Sequence, residues 1–210
     1  MKSAGKIVKI LIAAFVFGIA AALAFRFWLG SYYPSSMRSL IPTPALTAAY
    51  KDGTLAVKRQ EIRIDYEDPR DGLFFAGEML VAPDTGSLQV TVRYNQSTLA
   101  ALAAEYGEAF DPEAEVPFTY RIFCSRGAAA DGVTPVGEEH TPLESREAEF
   151  AVYRYERLAF EGLELDGVYW IRLDIYRAGA DEPEGSIVIY ENHEKYSEFE
   201  DYNVKNGELS

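Results

Sequence analysis

Residues 10–25, ILIAAFVFGIAAALAF, contain no charged or strongly polar side chain. Lys2, Lys6 and Lys9 stand before this run, and Arg26, Phe27, Trp28 and Leu29 close it. A helix rises about 1.5 Å per residue, so about twenty apolar residues are needed to cross ~30 Å of hydrocarbon. The run alone is short of that, and extending it to Leu29 supplies the difference. Arg26 then lies one turn from the end, where its long side chain reaches the headgroups. Trp28, Tyr32 and Tyr33 fall where amphipathic aromatics prefer the interface. The lysines and the α-amine all lie on one side, which predicts a cytoplasmic amino terminus and an extracytoplasmic carboxy-terminal domain.

A cleaved signal peptide uses the same parts: a basic head, an apolar middle and Ala22-Leu23-Ala24 as a small-x-small processing site, with secretion after cleavage near Ala24. Arg26 directly after that site and the length of the apolar run favour retention as an anchor. A buried core helix is the poorest fit, because a helix apolar all round with three lysines at its head has no place in a small β domain.

The expected organisation follows. Residues 1–9 are a basic cytoplasmic terminus, 10–29 the transmembrane anchor and 30–53 a stalk, semi-rigid at Pro42 and Pro44. The alternative for that proline-containing stretch is an irregular segment packed on the domain, since Leu40, Ile41 and Leu46 are apolar. Residues 54–191 are the folded domain, and 192–210 an acidic, aromatic end.

All 33 acidic residues lie at or after Asp52, while four of the 20 basic residues precede residue 31. Residues 31–210 therefore hold 16 basic against 33 acidic residues, a net of −17. Such a surface repels nucleic acid and anionic lipid and attracts cations or basic proteins. Cys124 is the one cysteine, so no intramolecular disulfide forms. It stands in an alternating apolar strand, the setting of a small buried hydrophobe, and not in a lipid-attachment position. An exported domain without disulfides suggests a bacterial envelope.

Alternation and turn residues predict seven strands, over 55–66, 73–82, 88–94, 116–124, 147–160, 167–177 and 186–190. Asp68-Pro69-Arg70-Asp71-Gly72 reads as the turn after the first. A helix capped by Ser97 carries Leu99, Leu102, Ala103 and Tyr106 at helical spacing and stops at Gly107. Residues 125–146 read as a long polar, mobile connection, and a bulge is expected near Val152 and Tyr153. Tyr169, Ile171, Leu173 and Ile175 should face inward. Many short strands without a βαβ rhythm predict a mainly β, antiparallel sandwich, with an α+β arrangement as the alternative. Leu165-Asp166-Gly167-Val168-Tyr169, just before IRLDI, resembles the tyrosine corner of immunoglobulin-like and fibronectin-III-like sandwiches. That resemblance implies a Tyr169 hydroxyl bonded to backbone upstream and such a fold over residues 55–191. It implies nothing about activity.

Catalytic patterns are sparse. His140 and His193 read as solvent-facing histidines of polar loops, and neither G-x-S-x-G nor H-E-x-x-H occurs. No catalytic, cofactor-binding or metal-ligating residue is assigned, and no cofactor is expected. Two acidic clusters, Asp65/Glu67/Asp68/Asp71 and Asp111/Glu113/Glu115, offer oxygen ligands but depart from the calcium-loop pattern where Pro69, Arg70, Pro112 and Ala114 intrude. They read as solvated turns. Asn95-Gln96-Ser97 matches a glycosylation sequon and equally a strand end with a helix cap. Trp170 either faces outward as a stacking platform or lies beneath the helix, which is the preferred reading. Tyr196, Phe199 and Tyr202 in the acidic run 190–202 read as packing on their own domain, or as a contact for a basic partner. The expectation is a non-catalytic binding or structural module of the envelope, not an enzyme, anchored by one span, its partner an envelope protein or cell-surface ligand. A calcium-dependent adhesion domain is the alternative, and a carboxylate hydrolase a more distant one.

Overall fold

The computed structural model describes residues 12–25, 34–62, 73–114, 116–128, 135–191, 196–205 and 207–209. The chain divides into two units, residues 1–34 and residues 35–210. In the first, residues 12–25 form a helix, α1, and Phe15, Phe17, Leu23 and Phe25 on it are all exposed. No helix among the described residues is long and apolar enough to cross a membrane. Residues 10, 11 and 26–29 of the expected span lie outside the described residues.

The second unit is a sandwich of two antiparallel sheets. Its strands are β1 (Lys58–Glu61), β2 (Phe75–Ala82), β3 (Ser87–Asn95), β4 (Phe118–Ala128), β5 (Pro135–His140), β6 (Glu144–Phe150), β7 (Tyr153–Phe160), β8 (Trp170–Arg177), β9 (Pro183–Glu191) and β10 (Glu200–Asp201). Sheet A runs β10-β1-β2-β3-β7-β6 and sheet B runs β5-β4-β8-β9. The helices are α2 (Pro44–Lys51) and α3 (Gln96–Tyr106). The chain crosses between sheets four times, after β3, β5, β7 and β9.

Alternation decides what is buried. Val90 and Val92 of β3, Leu158 and Phe160 of β7, Ile122 of β4 and Ile171, Leu173 and Ile175 of β8 all turn inward and are essentially inaccessible. Phe74, Tyr94 and Phe118 close the core with edge-to-face contacts at 4.9–6.1 Å. A second apolar cluster lies elsewhere: Leu40, Leu46, Val57, Leu80, Ala82 and Leu209.

That cluster corrects the expected stalk over 30–53. From Ser35 the described part of this stretch belongs to the sandwich unit, with Met37, Leu40, Ile41 and Leu46 buried. The alternative, a segment packed on the domain, is what forms. Polar side chains of sheet A secure it as a strap. Gln89 accepts from the Ile41 amide at 2.9 Å and donates to the Ile41 carbonyl at 2.7 Å. Arg157 has no exposed side-chain surface and donates to the Met37 carbonyl at 2.7 Å and to Thr91 at 2.8 Å. Arg146 reaches the Ser36 carbonyl and the Ser39 hydroxyl.

Other expectations shift. The polar stretch 125–146 contains the end of β4, all of β5 and the start of β6, and the strand expected over 147–160 is the rest of the β6–β7 hairpin. Its turn is Ala151-Val152, with Ala151 at φ 56°. β5 and β6 are edge strands with mostly exposed, charged side chains, so neither carries the apolar face that announces a strand in sequence. Gly137 on β5 has a packing reason, since a Cβ there would meet the Cys124 carbonyl oxygen at 2.0 Å. The cap of α3 is Asn95 and not Ser97: the Asn95 side chain accepts from the Thr98 amide at 2.9 Å, and the Asn95 amide donates to the Thr98 hydroxyl. Gly107 ends α3 as expected. Tyr169 is 57 % exposed, so it forms no tyrosine corner, and Val168 takes the buried place before β8.

Candidate functional site

β4 and β8 pair at the centre of sheet B, which aligns their outward residues in rows: Arg121 opposite Asp174, Phe123 opposite Arg172, and Ser125 opposite Trp170. Because the inward phase of both strands is filled with apolar core side chains, the outward phase is free to hold planar groups. Trp170 and Phe123 lie 5.5 Å apart, both half-buried. The Arg172 guanidinium lies 5.7 Å from the Trp170 ring centroid and 5.9 Å from that of Phe123. One step along, Arg121 lies 4.7 Å above the ring of Tyr176. The result is a continuous layer of rings and guanidinium planes, each contact within cation–π range.

This layer is charge-balanced and fixed in place. Arg172 grips Asp174 with two nitrogens at 2.7 and 2.8 Å. Asp174 has no accessible surface and also accepts from the Ser186 hydroxyl of β9. Arg121 donates to Glu139 of β5 at 3.1 Å. At Arg172 the two-nitrogen pairing holds the guanidinium in one plane and leaves its remaining donors for another acceptor. The Arg121 and Arg172 side chains remain 43 % and 39 % exposed, and Val188 of β9, on the same face, is also exposed.

Trp170 thus looks outward. α3 does not cover it: the helix meets the other end of β8, where Arg177 lies over the Tyr106 ring and Tyr106 donates to Glu184. The arginines and Phe123 of this face were not singled out from the sequence. The available signal was an aromatic at the polar phase of each of two neighbouring strands, flanked by arginine two residues away on the same face.

The other candidates disperse. His140 is on β5 and not in a loop, 3.8 Å from Glu138. His193, Glu115 and the cluster Asp65/Glu67/Asp68/Asp71 lie outside the described residues. Asp111 accepts from the Glu113 amide, closing its own turn. Among the described residues no group of three His, Cys, Asp or Glu side chains is placed to hold a metal ion. Asn95 uses its side chain as the helix cap. Cys124 is buried, and that burial pushes its thiol up to about 11. Tyr196 stacks on Tyr190 and Phe199 meets Tyr190 edge-on, both on the domain itself, and Tyr202 donates to the Arg38 carbonyl.

One buried titratable group stands apart. Glu156 of β7 points between the sheets and accepts from the Tyr94 hydroxyl at 3.1 Å. The Tyr120 hydroxyl lies beside it, fully buried. Loss of hydration raises the carboxyl to about 7, Glu147 adds to the rise, and the two phenols and Arg154 oppose it.

The chain matches no known family model, no curated protein and no solved structure.

Proposed function

We propose that this protein is a membrane-anchored, extracytoplasmic binding module of immunoglobulin-like type, without catalytic machinery, whose ligand face is the outer surface of sheet B. The observation that carries the reading is the ordered layer of Trp170, Phe123, Arg172 and Arg121 on an accessible sheet face, with Tyr176 buried beneath Arg121. Trp, Tyr and Arg are the side chains that dominate recognition surfaces, because they offer large contact area with few rotatable bonds. These are already immobilised, so little ordering cost remains for binding.

The fold type is supported by strand order. β2-β3-β7-β6 opposite β5-β4-β8-β9 corresponds to the A-B-E-D and C′-C-F-G sheets of immunoglobulin-type sandwiches, with β1 and β10 added outside β2. The anchor is supported by the apolar run, its flanking lysines and the exposed apolar helix α1.

A photo-crosslinking amino acid placed at Val188, on the proposed face, tests the reading against one at Val152, an exposed position in the β6–β7 turn. In living cells position 188 should give discrete adducts that position 152 does not. Equal or absent crosslinking at the two positions rejects the face as a binding site.

A further inference from the structure

We infer that the sheet B face binds a neutral polysaccharide chain, its sugar rings stacking over Trp170 and Phe123, its hydroxyls accepting from Arg172 and bridging Arg121 to Glu139. The inference rests on the binding-face reading above and names its ligand class.

Charge narrows the choice. Residues 31–210 carry a net of −17, so a polyanion is repelled at long range and a second copy of the domain is repelled equally. Within that field the two arginines of the face are matched, Arg172 by Asp174 and Arg121 by Glu139. Neither of those two carboxylates recruits a polycation, since Asp174 is buried and Glu139 is already engaged by Arg121.

Surface chemistry narrows it further. A protein partner of ordinary size covers about 800 Å² and needs an apolar centre from which water is excluded. Among the described residues of this face, Val188 is the one exposed large hydrophobe. What the face offers instead is a flat alternation of rings and planar polar groups. A pyranose ring presents an apolar C–H face and a rim of hydroxyls. The C–H face matches the ring layer. Each hydroxyl is both donor and acceptor, so a vicinal pair can accept from a guanidinium nitrogen and donate to the neighbouring carboxylate. Arg121–Glu139, both partly exposed, is such a donor–acceptor pair, and on the adjacent row Arg172 adds outward donors while its partner Asp174 stays buried beneath it, the arrangement a linear chain of sugars can follow.

Only two tryptophans occur, Trp28 and Trp170, so Trp28→Phe leaves Trp170 as the sole indole reporter. The full chain carrying that change, held in a polyoxyethylene detergent without sugar headgroups, is titrated with β-1,4-linked hexamers of glucose, mannose and N-acetylglucosamine. Concentrations run to about 10 mM, enough to saturate a millimolar site. At least one hexamer should shift Trp170 emission saturably and protect it from acrylamide. Calorimetry should find that affinity weakened about tenfold by Trp170→Leu and severalfold by Arg121→Ala, each with an unchanged melting curve. No saturation with any hexamer, or binding untouched by both substitutions, overturns the inference. If the hexamers fail while position 188 still crosslinks to a protein, the ligand class is wrong and the binding face stands. If both fail, the face itself is not a binding site.

Discussion

Glu156 is a carboxyl group held where charge is costly. It is 6 % exposed, and its hydrogen-bond donors are phenols that do not offset lost hydration. Its proton therefore stays on to about pH 7 in the folded protein, whereas an unfolded glutamate releases it near 4.5. Below 4.5 both states are protonated and folding meets no penalty. Between 4.5 and 7 the unfolded state loses its proton first, so stability falls as pH rises, by ~3 kcal/mol in total. Glu156→Gln keeps the shape and removes the titration. Urea unfolding of the two proteins should agree near pH 4.5 and diverge above it, with the Gln variant more stable by ~3 kcal/mol at pH 8. Parallel profiles would show that the carboxyl is hydrated in the folded state. At this scale the sequence was a partial guide. Cys124 at an inward phase was legible as a buried hydrophobe, because alternation alone decides it. Glu156 was not: in Tyr-Glu-Arg-Leu nothing distinguishes a glutamate beneath the opposite sheet from one facing water. Tyr169 failed for a related reason, since the motif places the residue along the chain but not the rotation of the chain as it enters β8.

Between a 3-10 turn at Ser35–Met37 and α2 the strap has no regular structure, and there it holds through hydrogen bonds from sheet side chains to its backbone. Gln89 does for Ile41 what a neighbouring strand would do, supplying an acceptor and a donor at once. Arg157 contributes its bond to Met37 only while buried, and burial pulls its pKa down against the influence of Glu78. Gln89→Leu would leave the Ile41 amide and carbonyl buried without partners, at a cost of roughly 1–3 kcal/mol for each group. The strap should then detach before the sandwich unfolds. Trypsin should cut after Arg38 at least several times faster in the variant, while the tryptic stability of the remainder is retained. An unchanged rate at Arg38 would mean that the apolar contacts of Leu40 and Leu46 hold the strap unaided. The elements hardest to read from sequence share a cause. β5, β6 and the strap carry their specificity in backbone hydrogen bonds, and a backbone bond leaves no mark on side-chain pattern. The central strands β3, β4 and β8 were readable because each turns one apolar face to the core.

For the whole molecule, the anchor proposed above makes the distribution of charge along the chain the determinant of orientation. Lys2, Lys6 and Lys9 precede the apolar run, every acidic residue follows it, and the strong bias in basic residues near the amino end predicts that this end stays inside. Arg26 opposes that bias from the far side, but as a single charge against three lysines and the α-amine. The balance is therefore reversible by few changes. Lys2, Lys6 and Lys9 changed together to Gln, with Ser35 and Ser36 changed to Arg, should turn a fraction of molecules round. Protease added outside intact bacterial spheroplasts should digest the domain of the natural chain and spare that fraction of the variant. Ser36 meets Arg146 only through its backbone carbonyl, which these substitutions keep, so the sandwich itself is expected to survive them. If the natural chain is released in soluble form with a new amino terminus near Ala24, the apolar run is a signal peptide and the lysines direct export without fixing an anchor. If it stays bound and its domain resists protease until the membrane is broken, the orientation is reversed, and the sheet B face would meet its ligand in the cytoplasm.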